Sequence, residues 1–463
     1  MAFEIPKDLM VSVSGVRGRV GESLNTEVIA HFAAAYGSWV RQFVTGRRPK
    51  IVLGRDSRTS GPMFARAAGA ALQSVGCDVI DIGLAPTPTT LFAIRGEHAD
   101  GAIVVTASHN PVQWNALKLA SSDGMFLDGD QAAEMRQFLN DRPIAYAAWD
   151  VLGRVSPRED AVKRHIEAVL AIPYIDVEAI RARHFNVALD CISGAGVVLL
   201  PRILKALGCE VHGINLEPSG RFHRPPEPVA ENLAELEEHV RFTHADIGMA
   251  TDPDADRLSL VDESGHAIGE DFTLALATKL VLRHREGPVV TNLSTSRVLE
   301  DICQEHGITL ERASVGEINV ARRMEAVGAI VGGEGNGGVI LPDVHLTRDS
   351  AVAAALVLQL MLETGKPLSG LVGEQRRYII VKDKLPRDAG ELAGAYATLE
   401  RELDAPDVDR QDGLRLAWPA DGKWLHLRAS GTEPILRIIA EAPTREGAAG
   451  LVEAARQALA AQA

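Results

Sequence analysis

Cysteine is scarce, with four in 463 residues. Cys77, Cys191, Cys209 and Cys303 are scattered, have no metal-ligand spacing and lie in apolar surroundings. That pattern argues against a disulfide framework and predicts reduced core thiols in a cytoplasmic protein. Long apolar runs are also missing. The longest, Ala351 to Leu362, is interrupted by Gln359 and bounded by Asp349 and Glu363. A bilayer needs about 20 apolar residues, so the run reads as a buried helix and no membrane partner is expected. The start, Met1 to Lys7, lacks the basic and apolar segments of a signal peptide. Positive charge is short too: 48 Lys and Arg face 62 Asp and Glu, a net −14. A broad nucleic-acid footprint is therefore not expected, whereas an anionic small molecule fits if arginines concentrate at one pocket.

What is present is length and apolar material. A chain of 463 residues, 46% of them apolar, has a soft prior of about three domains and ample core for each. An internal repeat organises it. Three times a strand, a polar loop, a helix and a Gly-led strand are followed by a closing strand with an unusual loop. The first strands are Ile51-Val52-Leu53, Val187-Ala188-Leu189 and Val289-Val290. The helices run Ala65–Leu72, Leu199–Leu207 and Val298–Glu305, and the next strands start at Gly76, Gly208 and Gly307. The closing strands are Asp100–Val105, Asp246–Ala250 and Val327–Val331. Ligands of open α/β sheets bind beyond the carboxyl ends of strands, so the three loops that follow predict one composite site.

The first loop, Thr106-Ala107-Ser108-His109-Asn110-Pro111, puts one hydroxyl at the end of a buried strand. On these residues alone it reads either as a ligand loop or as an ordinary strand-to-helix turn. The second loop sets Asp252, Asp254 and Asp256 at alternate positions. Carboxylates so close repel unless a cation neutralises them, and hard oxygen ligands suit Mg²⁺ or Ca²⁺. An EF-hand is a rival, with Glu263 at its twelfth position, but Arg257 stands where that loop needs Gly and the flanks read as strands. The third loop, Gly332 to Gly338, offers backbone amides with Glu334 and Asn336, a set that suits sugar hydroxyls. A phosphate cradle or a plain flexible turn is the other reading, although the lysine of a P-loop is lacking.

Past Lys366 to Arg376 the chain changes character. Tyr378 to Ala463 reads as an α+β unit with strands Leu414–Ala417, Trp424–Arg428 and Ile435–Ile439 and a helix from Thr444. Its turn Arg428-Ala429-Ser430-Gly431-Thr432-Glu433-Pro434, with Arg437 beyond, gathers donors matched to a phosphate, against the plainer reading of a surface turn. Cationic loops near the start, Ser14 to Arg19 and Gly54 to Arg58, add Arg17 as a pocket residue, while Arg55 and Arg58 are placed to brace Asp56 and the Ser108 loop. Boundaries at 1–152, 153–257, 258–372 and 373–463 follow.

These four ordered motifs resemble those of the α-D-phosphohexomutases, the family of phosphoglucomutases, phosphomannomutases and phosphoglucosamine mutases. Thr106 to Pro111 resembles its phosphoserine loop and Asp252 to Arg257 its Mg²⁺ loop. Gly333 to Gly338 is similar to its sugar loop and Arg428 to Pro434 to its phosphate loop. The resemblance spans essentially the whole chain, aided by Phe222 to Pro228 and Asn232-Leu233. It implies three related α/β domains with mixed sheets and a smaller C-terminal α+β domain around a central cleft. Glu334-Gly335-Asn336-Gly337-Gly338 departs from the usual Glu-x-Ser-Gly-His, Asn115-Ala116-Leu117-Lys118 from Asn-Gly-x-Lys, and Arg348-Asp349-Ser350 from Arg-Asp-Gly. The Asn-bearing sugar loop, with Ser430-Gly431-Thr432 after Arg428, is similar to the phosphoglucosamine mutase branch.

The resemblance implies reversible phosphoryl transfer through phosphorylated Ser108, with Mg²⁺ held by Asp252, Asp254, Asp256 and a phosphoserine oxygen. A hexose 1,6-bisphosphate is the implied intermediate and activator, and the partner is a small phosphosugar. Lys118 and His109 are the implied proton carriers, assisted by Arg17. Arg257, Glu334 and Asn336 meet the sugar, while Arg428, Ser430, Gly431, Thr432 and Arg437 hold the resting phosphate. Phosphoglucosamine mutase is the first expectation and phosphoglucomutase/phosphomannomutase the alternative. A metal-dependent phosphatase and a non-catalytic phosphosugar sensor are the readings from other classes. Oligomeric state has no signature in these residues.

Overall fold

Four sheets order the computed structural model, which describes residues 4–13, 15–386, 392–430 and 435–461. Ser14, Gly431, Thr432, Glu433 and Pro434 lie outside the described residues. In the first sheet Asp78–Leu84, Lys50–Arg55 and Gly101–Val105 run parallel, and Trp114–Ser121 returns antiparallel beside the last. The second sheet repeats this with Glu210–Ile214, Asn186–Asp190, Ile247–Thr251 and the return strand Leu258–Val261. The third repeats it with Leu310–Ala313, Val289–Asn292, Val331–Glu334 and Gly338–Leu341. The repeat is thus a four-strand mixed unit. The first sheet adds Met10–Ser12, Gly15–Arg19 and Val155–Pro157, and the third adds His345–Arg348.

Two readings change with this topology. Each polar loop joins a closing strand to its antiparallel return strand, so none is a strand-to-helix turn. The expected divide at 257 also cuts the second sheet, because Leu258–Val261 pairs with Ile247–Thr251. Similarly, Val155–Pro157 pairs with Asp78–Leu84 across the divide expected at 152. An isolated apolar strand does not reveal its partner, and the ladder hydrogen bonds decide which sheet it joins.

The last sheet is antiparallel, ordered Ile379–Pro386, Ile435–Ala442, Lys423–Ala429, Leu414–Trp418 and Asp407–Asp409. Helices Leu392–Leu403 and Arg445–Ala460 cover it. Three elements of this unit were not foreseen, the edge strands Ile379–Pro386 and Asp407–Asp409, which are interleaved with charge, and the helix Leu392–Leu403.

Ser350–Thr364 is the run foreseen as a buried helix, and its first twelve residues are all buried. Asp349 caps it, accepting from the amide of Ala351 at 2.8 Å, a cap suited to the helix's positive end. The helix sits in one apolar core shared by the second and third units. All four cysteines are free and buried. Among the described residues no helix is long and apolar enough to cross a membrane.

Candidate active site

The three loops meet. Ser108 lies at the end of Gly101–Val105 with a left-handed backbone, φ 47°, a conformation that costs a non-glycine residue roughly 1–3 kcal/mol. Arg58 compensates. Fully buried, it pairs with Asp56 at 3.0 Å and donates to the carbonyls of Ser108, Asn110, Pro111 and Trp114 at 2.6–2.9 Å. Thr106 completes the brace, donating to Asp56 at 2.7 Å and accepting from the Ser108 amide at 2.9 Å. Arg55 contributes one bond to the Asp56 carbonyl. Arg17 donates to the side chain of Asn110 at 2.6 Å.

So held, the Ser108 hydroxyl donates to Asp252 Oδ2 at 2.8 Å, with His109 Nδ1 at 3.4 Å. Asp252, Asp254 and Asp256 are buried, and one carboxylate oxygen from each lies within 4.8 Å of the others. Burial and then the neighbouring Asp256 and Asp254 push Asp252 well above the carboxylate range. Burial acts the same way on Asp254, yet Lys118 at 2.9 Å and the Thr87 hydroxyl at 2.7 Å hold it well below that range. Oδ1 of Asp254 and Oδ1 of Asp256 are buried and find no hydrogen-bond partner among the described residues. Unpaired buried carboxylate oxygens are costly, and a hard divalent cation between them is the chemistry that fits.

Arg348 joins this loop to the third. Buried, it donates to Asp256 and, at 2.8 Å, to Glu334 Oε2. Its guanidinium is raised further above its already high range because, against burial, it faces Asp256, Glu317 and Glu334. Glu334 also accepts from Asn292 at 2.8 Å and the Gly316 amide at 3.0 Å. Burial opposes ionisation of Glu334, but Arg348 and these donors hold it below the usual range. Asn336 Oδ1, by contrast, is buried without a partner among the described residues.

The glycines here serve packing more than open amides. A Cβ at Gly335 would lie 2.0 Å from an Asp271 oxygen, and one at Gly338 2.2 Å from the Arg348 stem. The amide of Gly335 is already taken by Thr295 at 3.0 Å. Arg257 is buried and reaches Glu227 at 3.1 Å. Burial, then Arg257 and Arg17, lower His109 well below the usual histidine range.

Arg428 and Arg437 stand on the last sheet as direct cross-strand partners, and Lys384 is the partner of Arg437 on its other side. Like charges in register repel, so the row favours an anion. Arg428 is partly neutralised by Asp412 at 2.9 Å. Ser430 ends the same strand pair, its amide bonded to the Ile435 carbonyl. The sheet docks on residues 293–297 of the third unit: Arg415 donates to the Leu293 carbonyl and Glu441 accepts from the Arg297 amide.

Comparison with known proteins decides the kinship. Models of the phosphoglucomutase/phosphomannomutase family match the alpha/beta/alpha domains I, II and III at residues 9–143, 163–265 and 269–378, and the C-terminal domain at 379–458. The chain belongs to the α-D-phosphohexomutase family. Among its phosphohexomutase relatives, a phosphoglucomutase/phosphomannomutase of Thermococcus kodakarensis is 39% identical, covering 95% of this chain and 96% of the other. A probable phosphoglucosamine mutase of Methanopyrus kandleri is 37% identical over 94% of each. The crystal structure of a family protein from Burkholderia thailandensis superposes with a TM-score of 0.84 at 26% identity, covering 98% of this chain and 97% of that one. The phosphohexomutase reaction, reversible phosphoryl transfer within a hexose phosphate, is accordingly the chain's activity class.

Sequence reasoning missed Arg348 and Lys384 as site residues. Arg348 was noticed only as part of a motif, and its three carboxylate partners, Asp256, Glu317 and Glu334, lie 92, 31 and 14 residues away. Lys384 sits in a strand that was not foreseen. A second cluster was also missed: Asp349 Oδ2 accepts from His165 at 2.7 Å and His345 at 2.8 Å. These are hydrogen-bond lengths, and Thr89 holds the other nitrogen of His165 at 2.9 Å, so the trio reads as an anchor between units.

Proposed function

We propose that the chain interconverts hexose 6-phosphates and 1-phosphates through phosphorylated Ser108, depends on Mg²⁺, and prefers glucosamine phosphate. One observation carries the reading: the Ser108 hydroxyl is bonded to Asp252 inside a buried trio of carboxylates. Asp252, Asp254, Asp256 and a phosphoserine oxygen would hold the ion. When bound, Mg²⁺ offsets charge on the transferring phosphoryl group.

The side chains supply the rest. As the bond from phosphorus to Ser108 Oγ breaks, a bond forms to the sugar hydroxyl opposite the resident phosphate. The hydroxyl proton passes to His109, which has Arg17 near it. Lys118, expected as a second carrier, is engaged as an ammonium by Asp254 at 2.9 Å and serves there as a charge partner. His109, held neutral by burial and two arginines, has a lone pair free for that proton. The resulting hexose 1,6-bisphosphate turns end for end, its other phosphate returns to Ser108, and the proton goes back to the freed oxygen. Arg428, Ser430, Gly431, Thr432 and Arg437 hold the resting phosphate, and Lys384 extends their row. Glu334 already has its donors, which leaves Asn336 Oδ1 as the open acceptor for a sugar hydroxyl, with Arg257 nearby in the same loop system.

The sugar assignment rests on the Asn-bearing loop and agrees with the name of the Methanopyrus relative. The Thermococcus relative is named for glucose and mannose phosphates, so those are the competing substrates. Contacts at ring positions 3 and 4 leave position 2 weakly read. One missing hydrogen bond there is worth about 1–3 kcal/mol, roughly a 5- to 150-fold preference. The test compares kcat/KM for glucosamine, glucose and mannose phosphates with a bisphosphate primer while following free phosphate. Turnover of more than one sugar, with glucosamine phosphate first, is expected. Preference beyond roughly a thousandfold for glucose or mannose phosphate, or release of phosphate in place of isomer, would overturn the assignment.

A further inference from the structure

Three consecutive carbonyls of the acidic loop are each held by a different α/β unit. Pro253 O accepts from the Ala195 amide of the second unit at 2.7 Å, and Asp254 O from the Thr87 amide of the first at 2.9 Å. Ala255 O accepts from the Ser350 hydroxyl of the third at 2.7 Å. The last bond falls where it matters most, because Ala255 is the loop's left-handed residue, φ 54°, and lies between Asp254 and Asp256. It is also the one of the three made by a side chain.

We propose that Ser350 is a positioning residue that pre-forms the acidic loop before a cation arrives. Its own place is fixed on both sides. Asp349, which caps the helix that Ser350 opens, is clamped by His165 and His345, while Arg348 grips Asp256. The segment 348–350 therefore holds the loop by one side chain and one carbonyl, from an anchor tied through His165 to Thr89 of the first unit. In the resembling motif the residue at this position is usually Gly, which has no hydroxyl to give. Without that bond the Ala255 carbonyl loses its one side-chain hold. Only the Asp252 carbonyl on the Ala255 amide, Thr87 on the Asp254 carbonyl and Arg348 on Asp256 then resist relaxation of the strained residue, so the separation of Asp254 and Asp256 is less firmly fixed. Bringing them back then weakens cation binding while leaving the loaded site intact.

This inference rests on the Mg²⁺ reading of the loop, so its test separates the two. Backbone hydrogen exchange of residues 252–257 is followed in chelator-treated full-length protein, and Mn²⁺ affinity is measured by titration calorimetry. Ser350→Ala should raise exchange at Ala255–Arg257 about fivefold or more and weaken Mn²⁺ binding about tenfold, as expected for one buried hydrogen bond. Its kcat at saturating Mg²⁺ should stay within about twofold of the parent. Ser350→Gly, a second variant that removes the same oxygen, should show the same shifts. Unchanged exchange with parental Mn²⁺ binding would overturn the positioning role and leave the metal reading standing. Faster exchange with Mn²⁺ bound by neither protein would support the positioning role and sink the metal reading.

Discussion

The acidic loop at Asp252–Arg257 and the cationic row on the last sheet are both clusters of like charge, yet they are built differently. The loop is buried, held by three units through its backbone, and two of its carboxylate oxygens lack hydrogen-bond partners among the described residues. The row has Lys384 exposed and Arg428 already paired with Asp412. Burial makes charge repulsion expensive, so the loop calls for a resident cation. Water screens the Lys384 end of the row, while Arg428 and Arg437 are half-buried on the sheet, an arrangement that suits a phosphate that arrives and leaves with each turnover. The first region should therefore govern kcat and the second KM.

The strongest test of that division is Ser108→Ala. It removes one hydroxyl from a braced loop and should lower kcat on the order of 10⁴-fold or more. Intact-mass measurement should find a phosphorylated fraction in the parent and none in the variant. Full activity in the alanine protein would end the phosphoserine reading.

Asp254→Asn comes next, with an expected fall in kcat on the order of 10²- to 10³-fold as one formal charge leaves the trio. A chelator should do the same to the parent, and added Mg²⁺ should restore it. A parent that keeps its rate under chelator would make the loop a structural turn and erase the contrast.

On the row, Arg428→Ala should raise KM about 10- to 100-fold, the worth of a lost charge-assisted bond, with kcat changed less. Lys384→Ala, at the exposed end, should raise KM only a few-fold. If either variant lowers kcat and leaves KM alone, the phosphate is gripped differently in the transition state and the two regions do not divide the work as described.

The smallest effect concerns how the two regions are joined. His426 is buried between Ser294, at 2.9 Å from Nδ1, and the Asp412 carbonyl, at 2.7 Å from Nε2. Burial pushes it down to about 4. A depressed folded-state pKa leaves stability complete above the unfolded value near 6.5. Stability is then lost as pH falls toward 4, because the unfolded chain takes up a proton that the fold refuses. The contribution is about 3 kcal/mol at most. Melting temperature measured between pH 7 and about 4 should fall more steeply for the parent than for His426→Gln, and equal slopes would remove His426 from the account.

The parts of the site that could be read in advance were local. Ser108 in its hexapeptide, the alternation of Asp252, Asp254 and Asp256, and Glu334 with Asn336 each lie within a few residues, and the repeat announced that their loops are equivalent. The return strand Leu258–Val261 was assigned to the wrong unit because its apolar pattern is the same whichever sheet it joins. Glycine richness at 335 and 338 read as open amides, whereas the neighbours that demand it, Asp271 and Arg348, are distant along the chain.

By itself the sequence determined which chemistry is available: a hydroxyl, three carboxylates, a sugar-type loop and a cluster of arginines, each on a strand end specified by a short repeated pattern. Only the tertiary structure decided how they are combined. Arg348 between Asp256 and Glu334, Ser350 on the Ala255 carbonyl, Asp349 between two histidines, and Lys384 beside Arg437 are all contacts made by folding. Periodicity specifies which face a residue occupies. The partner it meets there depends on how separately specified units pack, and no local pattern encodes that.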